Sequence, residues 1–166
     1  MVKKIKQATA EEVAEQSKTV KPTEAEKEKL ALTDDLATKR AQLKNDEVNL
    51  YGGNVNIGQG VQHLAPLPDR IKVMNRNIEK TDLMIAGLKP VNPKFEFEED
   101  ERYIAIQIEE LTEEKVGKVK HAAESVKLRD ELKERIPITK REINELETKL
   151  KLPITDFKKE KPDYIG

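Results

Sequence analysis

The chain has 166 residues, of which 38% are charged, 36% hydrophobic and 4% aromatic, and it contains neither cysteine nor tryptophan. The lack of cysteine excludes a disulfide scaffold, a thiol nucleophile and a thiolate-ligated metal centre. The 31 basic and 32 acidic residues leave a net charge of −1, which is unfavourable for a general nucleic-acid binder because such proteins neutralise phosphates. The few aromatic side chains argue against a large globular core.

The chain carries no predicted membrane span. Its longest apolar run covers the six residues 83–88, far fewer than a span needs. The basic residues at the N-terminus are not followed by an apolar region, so we expect no secretory signal peptide. These observations predict a cytoplasmic protein or one held within an assembled particle.

The first predicted helix follows a charged N-terminal arm, residues 1–22. Thr23 and Glu26 form a capping box, in which each side chain can bond the other residue's backbone amide. Leucines recur every seventh residue along this helix, at Leu36, Leu43 and Leu50. Gly52 predicts that the helix ends near Tyr51.

Residues 52–68 contain no charged side chain, although the chain as a whole is 38% charged. The segment has four glycines and two prolines, and Val55 and Ile57 belong to a weak apolar alternation. This pattern predicts a Gly-rich loop with some extended backbone. We expect the loop to contact a partner protein through Val55 and Ile57.

The second predicted helix begins near Asp69 and ends before Pro90. Its apolar positions step by three and four residues, which is the clearest periodicity in the chain. Such a stripe serves either a helical bundle or a short seam between subunits. The candidate partner contacts on it are Ile71, Met74, Ile78, Ile85 and Leu88.

Two interpretations remain open for residues 94–108. They form either a β-hairpin or the start of a third helix from Glu98, and we favour the helix. Its apolar residues fit an 11-residue grid, which predicts a straight or slightly right-handed seam. Acidic residues dominate 96–114 and basic ones 115–152, which favours the helix macrodipole. The acidic stretch alternatively docks a basic partner.

Pro137 is predicted to end the third helix. Thr139 and Glu142 form a second capping box, which predicts a short fourth helix that stops before Pro153. Residues 153–166 read as an extended tail that is anchored by Phe157 and Tyr164.

Catalytic chemistry has little support in the sequence. Gly53 and Gly58 have the spacing of a phosphate loop, but the lysine and hydroxyl residue of that motif do not follow. His63 and His121 belong to no recognisable metal-binding motif. We therefore predict no catalytic, cofactor-binding or metal-ligating residue and a protein that is not an enzyme.

Together these features predict an all-α fold, an elongated helical bundle or coiled-coil-like arrangement of about four helices over 23–152. The hypothesis for function is a non-catalytic structural or assembly subunit of a large complex, for which a viral or phage particle is one setting. Its partners would be other protein chains, in a homo- or hetero-oligomer. The alternative is a nucleic-acid-associated regulatory or packaging protein that uses Lys3, Lys4, Lys6 and the bases of 115–141.

Overall fold

The computed structural model describes residues 21–88 and 98–158, and 79% of the structure is helical. The described part contains three helices and one two-stranded antiparallel sheet, in the chain order α1 (Glu24–Tyr51), β1 (Gly53–Ile57), β2 (Gly60–Leu64), α2 (Leu67–Leu88) and α3 (Glu98–Lys149). Most of the N-terminal arm and the predicted anchor Tyr164 lie outside the described residues. No described helix combines the length and apolarity that a membrane span requires.

Helix α1 has the bounds that its end signals predict. The Thr23 hydroxyl accepts the Glu26 amide at 3.3 Å, and the Glu26 carboxylate accepts the Thr23 amide at 2.9 Å, so the capping box is confirmed. The three leucines that recur every seventh residue are all buried. The helix ends before Gly52, which has a φ of +84°.

Helices α1 and α2 lie one after the other along α3, and both run antiparallel to it. Lys39 of α1 pairs with Glu142 at 2.6 Å, whereas Thr81 of α2 accepts a hydrogen bond from Lys118 at 3.0 Å. The 28 residues of α1 and 22 of α2 nearly match the 52 of α3. At 1.5 Å per residue, α3 is about 78 Å long. Because the arrangement is two helices thick along its length, we call it the two-helix rod.

The buried face of α3 differs from the predicted 11-residue grid. Val119, a member of that grid, is 44% exposed. Buried and half-buried residues instead recur by fours and threes along the helix and one residue past its end, at Ile104, Ile108, Leu111, Lys115, Lys118, Ala122, Ser125, Arg129, Leu132, Ile136, Thr139, Ile143, Leu146 and Leu150. The grid is thus correct at six of its seven positions and fails at Val119. Five members of the observed row are polar or charged, so hydrophobicity alone does not reveal it.

The face of α2 was predicted correctly. Every position of its three-and-four spacing, from Ile71 to Leu88, is buried or half-buried. Thr81, the polar member, donates its hydroxyl to the Asn77 carbonyl and is buried. The local pattern was sufficient because five of the six positions are apolar and the Thr81 hydroxyl also bonds a carbonyl one turn earlier.

The predicted break at Pro137 is wrong. Helix α3 continues through this proline, so there are three described helices rather than about four. Thr139 lies within the helix, is buried, and donates its hydroxyl to the Arg135 carbonyl at 3.1 Å. Ile136 and Ile143 are buried on either side of the expected break. Their burial offsets the roughly 3 kcal/mol that an interior proline costs a helix.

Of the two interpretations of 94–108, the helix from Glu98 is confirmed, while residues 94–97 lie outside the described part. Four acidic residues occupy its first turn, where they favour the helix dipole. After α3 the chain is non-helical over 152–158, and Phe157 packs against the core. The residues beyond 158 are not described.

Candidate protein-interaction site at the central hairpin

The Gly-rich segment, predicted as a loop with some extended backbone, is a β-hairpin that branches from the middle of the two-helix rod. There α1 gives way to α2, and Leu50, Leu67 and Leu132 are at most 2% exposed within one core cluster. Arg70 donates from Nη2 to the Asn49 carbonyl at 2.9 Å and from Nε to the Ala65 carbonyl at 3.1 Å. This one side chain therefore fixes both ends of the segment.

Gly52 forms the neck of the hairpin. Its φ of +84° is a conformation that side chains with a Cβ rarely adopt. A Cβ at this position would lie 2.8 Å from the Leu64 carbonyl oxygen and 2.9 Å from the Pro66 ring. Only glycine lets the chain enter and leave the hairpin at such close range.

A two-residue turn sets the register of the hairpin. Gly58 has a φ of +60°, which suits the first central position of a type II′ turn. Ile57 pairs with Gly60, and the register then continues to the pair Gly53 and Leu64 at the base. The prediction of some extended backbone is confirmed. The pairing of two strands was not predicted, and the spacing of Gly58 and Gly60 is that of the tight turn between them.

The hairpin becomes more exposed from its base to its tip. Gly53 is buried and Val55 is half-buried, whereas Ile57 is 60% exposed and Val61 is 68% exposed. The two strands pair only with each other among the described residues, so each has one open edge. The hairpin therefore presents unpaired backbone and apolar side chains together.

The two faces of the hairpin differ in polarity. Side chains alternate along a strand, so Val55 and Ile57 share a face with Leu64, while Asn54 and His63 share the opposite face. The His63 ring nitrogen Nδ1 lies 3.2 Å from Asn54 Oδ1. His63 thus takes part in a cross-strand polar pair, and neither strand carries a charged residue.

The hairpin lacks the charged side chains that commonly protect an open sheet edge. Natural proteins commonly protect open sheet edges with charged side chains, proline or short strands. This hairpin has no charged residue in a chain that is 38% charged. Val61, with its large exposed fraction, was missed as a candidate, although its place in the apolar alternation was the signal. The geometry suits pairing with an extended segment of another chain.

The remaining predicted contacts lie within the rod. Ile71 is buried, and Met74, Ile78, Ile85 and Leu88 are half-buried on the α2 face toward α3. Phe157 packs against the core cluster, and its ring centroid lies 5.4 Å from the Lys140 ammonium nitrogen. The partner role of these residues stays a prediction.

Among residues 21–88 and 98–158, no group of three or more His, Asp or Glu side chains is arranged to hold a metal ion.

Comparison with protein-family models, with curated proteins and with solved structures found no match to this chain. Function is therefore inferred from the geometry of the hairpin and the rod.

Proposed function

We propose that this protein is a non-catalytic structural or assembly subunit whose rod presents the central hairpin to another protein chain. The observation that carries the proposal is the hairpin itself, with open edges, no charge, and Ile57 and Val61 at least 60% exposed. An isolated two-stranded hairpin is marginally stable in water. A strand added by a partner would complete its hydrogen bonding.

The mode of binding follows from strand addition. Main-chain hydrogen bonds along an open edge supply affinity, and alternate side chains supply specificity. The Ile57 and Val61 side chains would provide the specific apolar contacts near the tip. The polar pair of Asn54 and His63, on the face that also carries Val61 and opposite the face of Ile57, would fix the orientation of the partner strand.

The rod is suited to hold the hairpin in one position, and we propose that it is an antiparallel coiled-coil-like pair. Cross-helix ion pairs fix its register, including Lys39–Glu142 at 2.6 Å and Glu47–Lys140 at 2.8 Å. The hydrogen bond to Glu142 raises the pKa of Lys39 above its usual value. The pair therefore stabilises the protonated form of Lys39.

The nucleic-acid alternative has weaker support. Six basic residues of 115–141 already form ion pairs with acidic residues of this chain, namely Lys115, Lys118, Lys127, Arg129, Arg135 and Lys140. A phosphate would have to compete with these carboxylates. The pairs favour protein over nucleic acid as the partner, and a viral or phage particle remains one proposed setting.

Site-specific photo-cross-linking in the native host tests this function. A photoreactive residue at Val61 should yield one discrete protein adduct. The same residue at Lys127, whose side chain is 78% exposed on the rod, is the matched control and should not yield that adduct. Ile57→Lys should remove the Val61 adduct and leave the helical circular dichroism unchanged.

Other outcomes of the cross-linking would support the alternative function or contradict the proposal. An adduct that contains nucleic acid would support the alternative function. Equal labelling from Val61 and Lys127, or none from either, would contradict the hairpin as the binding element. Light scattering on the isolated chain shows whether the partner is a second copy, since a homo-oligomer would then form without any other protein.

A further inference from the structure

A groove runs between α2 and α3 at the end of the rod that is remote from α1. It encloses about 420 Å³. Its α2 side is apolar, with Met84, Gly87 and Leu88. Its α3 side joins the apolar Leu111 to the polar Gln107 and the two carboxylates of Glu110 and Glu114. The hairpin contributes nothing to this surface, so the groove is independent of the function proposed above.

At the other end of the rod, the segment that follows α3 covers the packed helices. There Glu147 accepts the Thr155 amide at 2.6 Å and the Thr155 hydroxyl at 2.8 Å. Phe157 then packs against the core cluster as a third layer. Ile85 beside the groove and Leu88 in its lining remain half-buried. Among the described residues, the groove end lacks a third layer.

Among the described residues, nothing requires glycine at position 87. Its φ lies outside the positive range, and a Cβ there would meet nothing within 4 Å. Glycine is a weak helix former, so its place in α2 carries a cost in stability. The absence of a side chain does, however, let another helix approach the α2 backbone closely.

The acidic side chains that line the groove favour a basic partner. Glu114 pairs with Lys118 at 2.7 Å, whereas Glu110 forms no ion pair with any residue in the described ranges. No basic side chain of those ranges lines the groove. A second copy that docked through the same surface would bring two acidic rims together, which costs free energy. Basic side chains of a partner would instead form ion pairs with these carboxylates.

We propose that the groove binds a basic amphipathic helix of a partner protein. Apolar side chains at i, i+3, i+4 and i+7 of that helix pack on Met84, Leu88 and Leu111. Its Lys or Arg side chains pair with Glu110 and Glu114. Gly87 admits the partner backbone, and the bound helix supplies the third layer.

The test uses the full chain and two dye-labelled synthetic helices of about 18 residues, or five turns. Both carry leucine at the i, i+3, i+4 and i+7 positions, and the polar positions are lysine in one and glutamate in the other. Fluorescence anisotropy should show that the lysine peptide binds at least about tenfold more tightly. Equal binding of the two peptides would overturn the proposal.

Charge reversal at the rim gives a sharper readout. Glu110→Lys should reverse the preference, so that the glutamate peptide becomes the tighter ligand. Glu109→Lys makes the same change in net charge at an exposed position outside the groove lining and should retain the original preference. If both variants behave alike, the peptide senses only overall charge and the groove is not its site.

The glycines within α2 and α3 provide a steric test. A Cβ added at Gly117, like one added at Gly87, would meet nothing within 4 Å, but Gly117 does not line the groove. Gly87→Leu should weaken binding of the lysine peptide at least about tenfold, and Gly117→Leu should leave it unchanged. Neither variant should lower the midpoint of thermal unfolding, because leucine favours the helix.

Two results of the steric test would overturn the proposal. One is unchanged peptide binding by a folded Gly87→Leu variant. The other is a self-association of the full chain, seen by light scattering, that Gly87→Leu abolishes. That result would assign the groove to a second copy of the chain instead of a basic partner helix.

Discussion

Arg135 of α3 holds both carboxylate oxygens of Asp46 in α1. Its Nε and Nη2 atoms each donate a 2.7 Å hydrogen bond, one to Oδ2 and one to Oδ1. The Asp46 side chain is 3% exposed and lies on the buried face between Leu43 and Leu50. The hydrogen bond to Asp46 raises the pKa of Arg135 and so stabilises its charged form. This bidentate pair satisfies a carboxylate within an otherwise leucine-rich face.

Arg135→Met should lower the free energy of unfolding by about 2–3 kcal/mol, because it leaves a buried carboxylate unpaired. This figure is below that for a fully buried pair because Arg135 is 44% exposed. Urea denaturation measures the change. The double variant Asp46→Leu with Arg135→Met should recover most of the loss, and a double variant as unstable as the single one would contradict this account.

Glu147→Gln should release the segment that follows α3. Glu147 is fully buried and accepts two hydrogen bonds from Thr155, so neutralising it should lower the free energy of unfolding by about 1.5–3 kcal/mol. Cleavage by trypsin after Lys151 should become faster in the variant. Glu145→Gln, at an exposed position of the same helix, is the control. Equal cleavage rates in the two variants would show that Glu147 does not hold the segment.

Pro137→Ala should stabilise the protein. The proline is exposed and interrupts the backbone hydrogen bonding of α3, so alanine should raise the free energy of unfolding by about 1–3 kcal/mol. Pro153→Ala, at an exposed position outside the helix, should bring no such gain. Thermal and urea unfolding compare the two. A loss of stability in Pro137→Ala would mean that the packing of Ile136 and Ile143 depends on the local geometry of the proline.

Gly52→Ala should destabilise the junction of the rod and hairpin by about 1–3 kcal/mol. The new Cβ would meet the Leu64 carbonyl and the Pro66 ring at a φ of +84°. Gly60→Ala is the matched control, because its φ is not positive and its nearest neighbour would lie 3.9 Å away. Urea denaturation of the two variants should separate them, and equal stability would refute the close approach at the neck.

Local signals in the sequence determined several elements correctly. The capping box of Thr23 and Glu26 and the glycine at 52 set the bounds of α1. The apolar spacing from Ile71 to Leu88 identified the buried face of α2. In each case the determining groups lie within one or two helical turns of each other. A capping bond or an apolar stripe of this kind forms from neighbours in the chain, so the sequence alone suffices.

The hairpin was only partly visible in the sequence. Its lack of charge marked 52–68 as a candidate contact region, and Val55 and Ile57 lie on its first strand. Their contact with a partner stays a prediction. The strand pairing was missed because a five-residue strand carries little periodicity. The close approach of Gly52 to Pro66 depends on how α1 and α2 meet, which no local pattern encodes.

Tertiary structure alone decided the course of α3. Pro137 and the apparent capping box of Thr139 and Glu142 favour a break locally, but the buried residues on both sides stabilise a continuous helix against α1. The row of buried positions also contains charged residues, and Asp46 is acceptable on α1 because Arg135, 89 positions away, neutralises it. A sequence pattern predicts that a polar residue is exposed, because it does not show the partner that would satisfy the residue when buried. Here only the antiparallel packing of the helices brings that partner near.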